Sequence, residues 1–275
     1  MPKLQLGFHG TFALKKDDLR KILEVAAEEE GLNHKQEELM KRTGLGNKKI
    51  SPIKSWAIRS GFITDKHLSP EGKIIRQQDY YLQSPITDWF MHFYLSFGGY
   101  GLQPPPATPT EWGGWPYLVF DFLPKQTIFT LEQLVDSASM VFEESPKQIK
   151  KNFRYLLRAY TESHALLQCH FLTQEKETYI ASQAPLPHPY LIGYFLAKLW
   201  ERDFGETTSV LTEQIFKQPM GLGAILGIED DLLQGCLNQL ETLALIEQRR
   251  TVPPEQVVRQ WSSPLDLLEK AYAAF

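Results

Sequence analysis

The sequence predicts a mainly α-helical protein made of several helix-turn-helix or winged-helix units with small β wings. Three stretches give this prediction. The first, from Thr43 to Thr64, has the pattern of a glycine-rich turn, an amphipathic helix and the start of a strand. The second is a helical pattern that follows Ser145-Pro146 and extends to Tyr160. The third is a helical pattern from Leu232 to Leu243, followed by a strand pattern at 246–250.

Two helices are expected ahead of the first of these stretches, which itself leads into a small wing. Apolar residues at helical spacing predict a helix from Leu19 to Glu28, and a second helix is expected from Lys35 to Arg42. Gly61 is expected to end the helix of the stretch. Two short strands, residues 62–64 and 67–68, would then form the wing, before a new helix begins at 69–71.

Pro52 fixes where the helix of the first stretch is expected to begin. Inside a helix, proline removes a hydrogen bond and its ring clashes with the preceding turn. The sequence therefore predicts that Ser51 is the N-cap and Pro52 the first helical residue, with the helix proper running from Pro52 to Ser60.

The same helix is predicted to have one cationic face. No acidic residue occurs from Lys41 to Thr64. The cations lie on the face opposite Ile50, Ile53 and Ala57. Such a face is typical of helices that contact phosphates and base edges in a major groove. The alternative is the solvated face of a structural winged helix. The candidate DNA-binding residues here are Lys48, Lys49, Ser51, Lys54, Ser55 and Arg59.

A strongly apolar segment and a turn-rich loop follow. Residues 79–97 are rich in aromatic side chains, which predicts a buried segment. The loop at 98–116 contains three consecutive prolines and two tryptophans, Trp112 and Trp115. These tryptophans are expected to pack the loop onto the core, and a stacking surface for a base or a partner is the alternative.

A second basic helix is predicted after a helix that Thr130 caps and that runs to about Val141. Its cations fall on one face, and its apolar residues fall on or near the other. This stripe is a stronger electrostatic signal than the first basic helix, and it indicates binding to a polyanion or to an acidic partner. Strands are expected at 166–171 and 177–180. The candidate DNA-binding residues are Lys147, Lys150, Lys151, Arg154 and Arg158.

The last third is predicted to repeat the helix-turn-helix pattern without a basic face. Residues 185–189 form a proline-containing linker, and helices are expected at 190–200, 209–216 and 264–273. The helix near Leu232 opens with acidic residues, which favours a structural unit over a DNA reader. The predicted domains are 1–78, winged-helix-like; 79–184, central and helical with a second helix-turn-helix-like unit; and 185–275, winged-helix-like.

Composition and charge exclude several classes of protein. The 275 residues are 43% hydrophobic, which is enough for a sizeable core, and the net charge is −4. Residues 1–78 hold 15 basic and 10 acidic residues, a net +5, which leaves −9 for the rest. The positive charge is thus concentrated at the N-terminal end. The two cysteines predict neither a disulfide framework nor a zinc site, and a cytoplasmic protein with no membrane segment is expected.

Four residues are weak candidates for catalysis. His9 lies between small and aromatic residues, where a histidine is more often a core or capping group than a base. Asp88 and His92 stand four apart on a helix and are placed to pair as carboxylate and imidazole, either for catalysis or as a buried structural pair. Asp79 is the fourth. No phosphate loop, nucleophile elbow or paired-histidine metal helix occurs in the sequence.

Several motifs in order along the chain resemble the domain-of-unknown-function family numbered 4007. They are Gly7-Phe-His-Gly-Thr-Phe12, Leu45-Gly-Asn-Lys-Lys-Ile-Ser-Pro-Ile-Lys-Ser-Trp56, Leu68-Ser-Pro-Glu-Gly72, Asp79-Tyr-Tyr-Leu82, Thr87-Asp-Trp-Phe-Met-His92 and Leu265-Asp-Leu-Leu-Glu-Lys-Ala-Tyr272. The first motif has Gly10 where that family usually has glutamate, so an activity that needs the glutamate would be missing here. Pro52 is also atypical.

The resemblance implies a DNA-acting subunit of a bacterial DNA phosphorothioation or phage-defence system. Such proteins are similar to the B component of the Ssp system, which is encoded beside a sulfurtransferase-like ATP pyrophosphatase. The expected partners are therefore double-stranded DNA and that sulfurtransferase. No cofactor is expected, and a divalent metal ion would be needed only for a DNA nickase. The alternatives are a nickase in its own right and a transcriptional regulator or assembly module without catalysis.

Overall fold

Helices make up most of the chain, as the sequence predicts. The computed structural model describes residues 1–181 and 185–274. The helices of the first half are α1 (Lys16–Ala26), α2 (Gln36–Thr43), α3 (Asn47–Arg59), α4 (Pro70–Gln78), α5 (Pro85–Ser96), α6 (Gly114–Tyr117) and α7 (Leu131–Ser139). Those of the second half are α8 (Pro146–Thr161), α9 (Pro189–Phe204), α10 (Thr212–Phe216), α11 (Leu222–Leu226), α12 (Asp230–Thr242) and α13 (Pro264–Ala273).

Helix α3 starts earlier than the sequence predicts, and Pro52 lies inside it. Its N-cap is Gly46, so the prediction that Ser51 caps the helix and Pro52 begins it is wrong. At this sixth helical position, proline removes one backbone hydrogen bond and crowds the carbonyl one turn back, so other contacts must offset that cost. Burial of the Ile50 side chain favours the longer helix, and the Gln36 side-chain amide donates to the Asn47 carbonyl at 3.1 Å, which holds the first turn in place.

The end of α3 matches the sequence prediction. Gly61 follows the helix with φ of +79°, a left-handed conformation that favours glycine. Chain reversal here is tight, because a Cβ on Gly61 would lie 2.6 Å from the Tyr94 ring. Strands β1 (Ile63–Thr64) and β2 (His67–Leu68) then form the predicted small antiparallel hairpin.

Two three-stranded antiparallel sheets recur along the chain with the same strand order. The first contains β3 (Ile128–Thr130), β4 (Leu172–Glu175) and β5 (Thr178–Ala181), in the order β3-β5-β4. The second contains β6 (Ser209–Leu211), β7 (Ile246–Arg249) and β8 (Gln256–Arg259), in the order β6-β8-β7. In both, one strand precedes the helices and a hairpin follows them. The winged-helix assignment itself stays a prediction.

Some strand positions differ from those the sequence predicts. The expected strand at 166–171 is wrong, because residues 167–169 form a 3₁₀ turn and β4 begins after it. The expected helix at 209–216 begins with β6 instead. Strands β3, β6 and β8 are each at most four residues long, too short to show a clear alternation of apolar and polar residues.

The buried apolar side chains form one contiguous cluster that includes residues from Leu4 to Ala271. Helix α13 packs on α9. The division into three domains stays a prediction, and its boundary at residue 184 lies outside the described residues. Within 1–181 and 185–274, no helix is long and apolar enough to cross a membrane.

Candidate nucleic-acid interface

The sequence of α8 places its cations on one side and its core residues on the other. Ser145 is the N-cap and Pro146 the first helical residue, as predicted. Ile149, Phe153 and Leu157 are fully buried. These apolar positions recur every three to four residues, so the lysines and arginines between them lie on the outer face. The helix is therefore fixed by its core contacts with its basic side outward.

Three cations of α8 are free to meet an anion. Lys147, Lys151 and Arg154 are exposed, and within the described part of the chain none of them has an acidic side chain within ion-pair distance. The two others are engaged. Lys150 is half-buried and pairs with Glu132 of α7, and Arg158 pairs with Glu162. We call Lys147, Lys151 and Arg154 the α8 stripe.

The cations of α3 are less available. Lys48 is exposed, as is Ser51, whereas Ser55 is half-buried. The Lys49 ammonium lies 2.9 Å from the Asp18 carboxylate of α1. Lys54 is half-buried, and this burial lowers the pKa of its ammonium, with a smaller contribution from the charge of Lys66.

Arg59 points into the protein instead of along a free basic face. Its guanidinium lies 4.3 Å from the centre of the Phe8 ring and donates a hydrogen bond to the Gly98 carbonyl. Burial lowers the pKa of Arg59, although the group stays charged. The structure thus gives this predicted DNA contact a structural role, which is to join the N-terminal turn to the loop after α5.

The N-terminal turn, Gly7–His9, connects the two basic helices. The ring of His9 lies 4.4 Å from that of Tyr155 of α8 and is stacked 6.3 Å from that of Trp56 of α3, measured between centroids. The Trp56 indole also donates to the Phe12 carbonyl at 3.1 Å. These contacts fix α3 and α8 on either side of one short segment, so their basic faces have a defined spacing.

His9 itself is a buried neutral side chain. Its exposed fraction is 2%. Burial lowers the pKa of the imidazole to about 4, with a smaller contribution from the nearby charge of Lys151. His9 is therefore uncharged at neutral pH and acts here as an aromatic spacer between α3 and α8.

Asp79 holds the turn that leads into α5, whose N-cap is Ser84. Its carboxylate accepts hydrogen bonds from the backbone N–H groups of Gln83 (2.9 Å) and Ser84 (2.8 Å) and from the Thr87 hydroxyl (2.6 Å). Tyr272 of α13 shares the Thr87 hydroxyl at 2.7 Å. This carboxylate thus links α5 to the end of the chain.

The predicted pairing of Asp88 with His92 is wrong. Asp88 is fully buried, forms an ion pair with Lys16, and accepts a hydrogen bond from the Gln168 backbone N–H at 2.9 Å. Burial raises the pKa of Asp88 to about 6, against the opposing effect of Lys16. Asp88 and His92 are four residues apart on α5, but each is bound by a partner from another part of the chain.

Both nitrogens of His92 are used inside the core. Nε2 lies 2.9 Å from the Ile225 carbonyl, which can only accept, so Nε2 donates. Nδ1 then accepts from the Tyr160 hydroxyl at 2.7 Å, and the Trp115 indole donates to that hydroxyl at 3.0 Å. Burial lowers the pKa of His92 to about 4. The imidazole is thus held neutral.

Sequence reasoning missed Lys16 and Tyr160, the partners that hold Asp88 and His92. Lys16 belongs to the unremarkable run Lys15-Lys-Asp-Asp18, which gives no signal of burial. The loop tryptophans pack inward, since Trp112 and Trp115 are both buried, which confirms packing over an exposed stacking surface. In the described residues, no three His, Cys, Asp or Glu side chains are grouped so as to hold a metal ion.

Comparison with known proteins agrees with this fold. Two crystal structures of SspB, one of them magnesium ion-bound, have TM-scores of 0.70 and 0.69 to this chain. In both, the sequences are 16% identical, and the alignment covers 98% of this chain and 86% of the SspB chain. No curated protein matches the sequence. The family described as "Protein of unknown function (DUF4007)" matches residues 7–272, so the chain belongs to the DUF4007 family.

Proposed function

We propose that this protein is a DNA-binding subunit of a DNA phosphorothioation system and presents duplex DNA to a sulfur-inserting partner. The α8 stripe carries the proposal. Its three exposed cations have no acidic side chain within ion-pair distance in the described residues, and the buried face of α8 holds them in place. Unpaired cations on a rigid helix are the electrostatic basis of phosphate binding.

The spacing of the stripe suits a DNA strand. Lys147 and Arg154 are two helical turns apart, or about 10 Å along the axis. Phosphates of one strand advance about 3.4 Å along the duplex axis per nucleotide, so the stripe matches about three of these steps. The contacts would be made to the backbone and would place the DNA without reading its sequence.

The system is inferred from the fold likeness. SspB shares the architecture over almost the whole chain, and the family resemblance implies a sulfurtransferase-like ATP pyrophosphatase as the partner. In such a pair, this chain would supply DNA affinity and position, and the partner would supply the sulfur chemistry. This chain and SspB share a fold although their sequences are only 16% identical. That is compatible with this division, since contacts to the DNA backbone need only cations at suitable positions.

A salt titration with matched variants tests DNA binding. One variant carries Lys147→Gln, Lys151→Gln and Arg154→Gln, and its affinity for a fluorescent duplex is measured by polarisation. The control removes three exposed cations that pair with acids elsewhere: Lys125→Gln, Lys217→Gln and Arg249→Gln. Both variants have the same net charge, so a difference between them reports position.

The expected change follows from counterion release. Log affinity falls as log salt rises, and each lost phosphate contact makes this slope shallower by about 0.9. The slope of the stripe variant is therefore expected to be shallower than that of the wild type by about 2.7. Between about 50 and 200 mM salt, the affinity of the wild type then falls about 40-fold more than that of the variant. The control keeps the wild-type slope. Equal slopes for all three proteins would contradict a role of the α8 stripe in DNA binding.

A second measurement tests the link to modification. In cells with the complete system, the phosphorothioate content of digested genomic DNA is measured by mass spectrometry. The stripe variant is expected to lower it strongly, while the control leaves it unchanged. Normal modification by a variant that no longer binds DNA would refute the presenting role. Loss of partner co-purification with DNA binding intact would instead identify the stripe as a protein-docking face.

A further inference from the structure

Two adjoining grooves lie beside the start of α12. The larger has a volume of about 580 Å³ and the smaller one of about 350 Å³. Ala224 and Ile228 line both, so the two form one continuous depression along α11 and the first turn of α12. Other apolar side chains in its lining include those of Val119, Phe120, Leu123, Phe216 and Leu232. We call this depression the α12 groove.

Leu232 lies at the edge of the α12 groove with much of its side chain in solvent. Its exposed fraction is 58%, whereas Leu233, Leu237 and Leu240 of the same helix are buried in the core. A single exposed leucine is common on a protein surface, but one beside an apolar groove enlarges the apolar area that a partner can cover. Leu232 and the groove therefore form one apolar patch.

Gly235 lies one turn further along α12, on the same side of the helix as Leu232. It is exposed, its φ is not positive, and a Cβ on it would meet no atom within 4 Å. Glycine inside a helix destabilises the helix relative to alanine, and neither backbone geometry nor packing requires it here. A helix surface without a side chain at this position allows another molecule to come close to α12.

The side of the groove that the start of α12 forms is acidic. Glu229, Asp230 and Asp231 are exposed, and in the described residues none of them has a cation within ion-pair distance. Acidic residues in the first turn also stabilise a helix, so by themselves they do not indicate a ligand. Beside an apolar groove, they determine the charge of the molecule that fits it, because they attract cations and repel a polyanion such as DNA.

The corresponding helix of the other three-stranded unit has the opposite charge. Helix α8 precedes the hairpin of the first three-stranded sheet, and α12 precedes the hairpin of the second. Helix α8 carries the α8 stripe, whereas α12 contains no lysine or arginine. Two units with the same strand order thus present a basic helix and an acidic one. This difference suits two kinds of partner, with DNA at α8 and a protein at α12.

We propose that the α12 groove docks a segment of the sulfur-inserting partner in which apolar side chains stand next to lysine or arginine. The apolar side chains would fill the groove against Leu232, and the cations would pair with the acids of α12. The inference rests on the proposed function, which requires such a partner, and adds the place where it binds. A docking surface separate from the α8 stripe leaves that stripe free for DNA.

Binding of the purified partner to the full-length chain, measured by biolayer interferometry without DNA, tests the groove. Leu232→Asp removes the apolar contact at the groove edge and is expected to weaken binding at least about tenfold. The matched control is Met140→Asp, which changes an exposed apolar residue after α7 and is expected to leave the affinity unchanged. Equal affinities of Leu232→Asp and the wild type would overturn the inference.

Charge reversal tests the chemistry of the docked segment. Asp231→Lys is expected to slow association and to reduce its dependence on salt, because the acid attracts the cations of the partner. Asp136→Lys on α7 is the control, since Asp136 is exposed and has no ion-pair partner among the described residues. A photoreactive amino acid in place of Leu232 then identifies the docked segment by mass spectrometry. An acidic segment, or one from a second copy of this chain, would contradict the inference.

Gly235→Gln separates a lost contact from a damaged fold. Glutamine favours a helix more than glycine does, and the space around the position is empty, so the thermal midpoint is expected to stay the same or to rise. The longer side chain occupies the approach to α12, so the affinity for the partner is expected to fall about tenfold. A normal affinity of this variant would contradict docking along α12.

The failure of the docking surface can be told apart from the failure of DNA binding. The groove variants are expected to keep the wild-type salt slope for the fluorescent duplex. If the α8 stripe variant loses the slope but the groove variants bind the partner normally, the docking surface is wrong and DNA binding by the stripe stands. If the stripe variant keeps the slope but the groove variants lose the partner, the docking surface stands and the DNA-presenting role is wrong. A wild type that does not bind the partner at all would overturn the docking surface.

Discussion

His92 gives the sharpest test of whether the candidate catalytic histidines belong to the core. In the folded protein, the pKa of His92 is lowered to about 4, whereas an unfolded histidine titrates near 6.5. Between these values, the unfolded chain binds the proton and the folded protein does not. The contribution to stability is therefore complete above about pH 6.5 and is lost as the pH falls towards 4.

The magnitude follows from the two pKa values. Lowering the pH from 7 to 4.5 should cost about 2 kcal/mol of the free energy of unfolding through this one side chain. His92→Gln cannot titrate, and its amide can still donate to the Ile225 carbonyl. We expect the variant to be less stable than the wild type at pH 7, because Gln fits the site less well, but to lose about 2 kcal/mol less on acidification.

Urea denaturation at pH 7 and 4.5, followed by circular dichroism, measures both effects. His170→Asn is the control, since it removes an exposed histidine and asparagine tolerates its left-handed backbone. The control is expected to follow the wild type at both pH values. If His92→Gln lost as much stability on acidification as the wild type, the buried, neutral state assigned to His92 would be refuted.

Two other substitutions test how the core holds its charges and turns. Asp88→Asn removes the partner of the buried Lys16 and should lower the free energy of unfolding, measured with urea, by about 3 kcal/mol. Adding Lys16→Met should recover much of this loss. Equal stability of the single and double variants would contradict the ion pair. Gly61→Ala places a methyl group against the Tyr94 ring at positive φ and should lower the thermal midpoint. Gly7→Ala, with open space around it and no positive φ, should change the midpoint little, and equal midpoints would contradict the tight reversal after α3.

The sequence predicts α8 well because the necessary information is local. Ser145 and Pro146 mark its start, and the apolar period identifies which side is buried. The cations that remain must then lie outside. The order of the helices and the first hairpin are local in the same sense, and the mainly α fold class is accordingly confirmed.

The partners of the buried polar residues are distant along the chain, so sequence patterns do not predict them. His92 is held by Tyr160, 68 residues away, and by Ile225, 133 residues away. The helix spacing of His92 from Asp88 is a weak local preference worth a few tenths of a kcal/mol, whereas leaving a buried polar group without a partner costs about 1–3 kcal/mol. The cost of leaving a buried polar group without a partner therefore outweighs the helical preference. The partners that avoid this cost are brought together only in the folded chain.

The two basic helices differ in how many of their cations are already engaged by protein groups. On α3, Lys49 is held by Asp18, and Arg59 is held by Phe8 and the Gly98 carbonyl, so a phosphate would have to compete with partners already in place. The α8 stripe has no such competition among the described residues. Breaking an existing contact offsets most of what a new phosphate contact would contribute. Helix α8 should therefore supply the larger share of DNA affinity, and α3 should act mainly through Lys48.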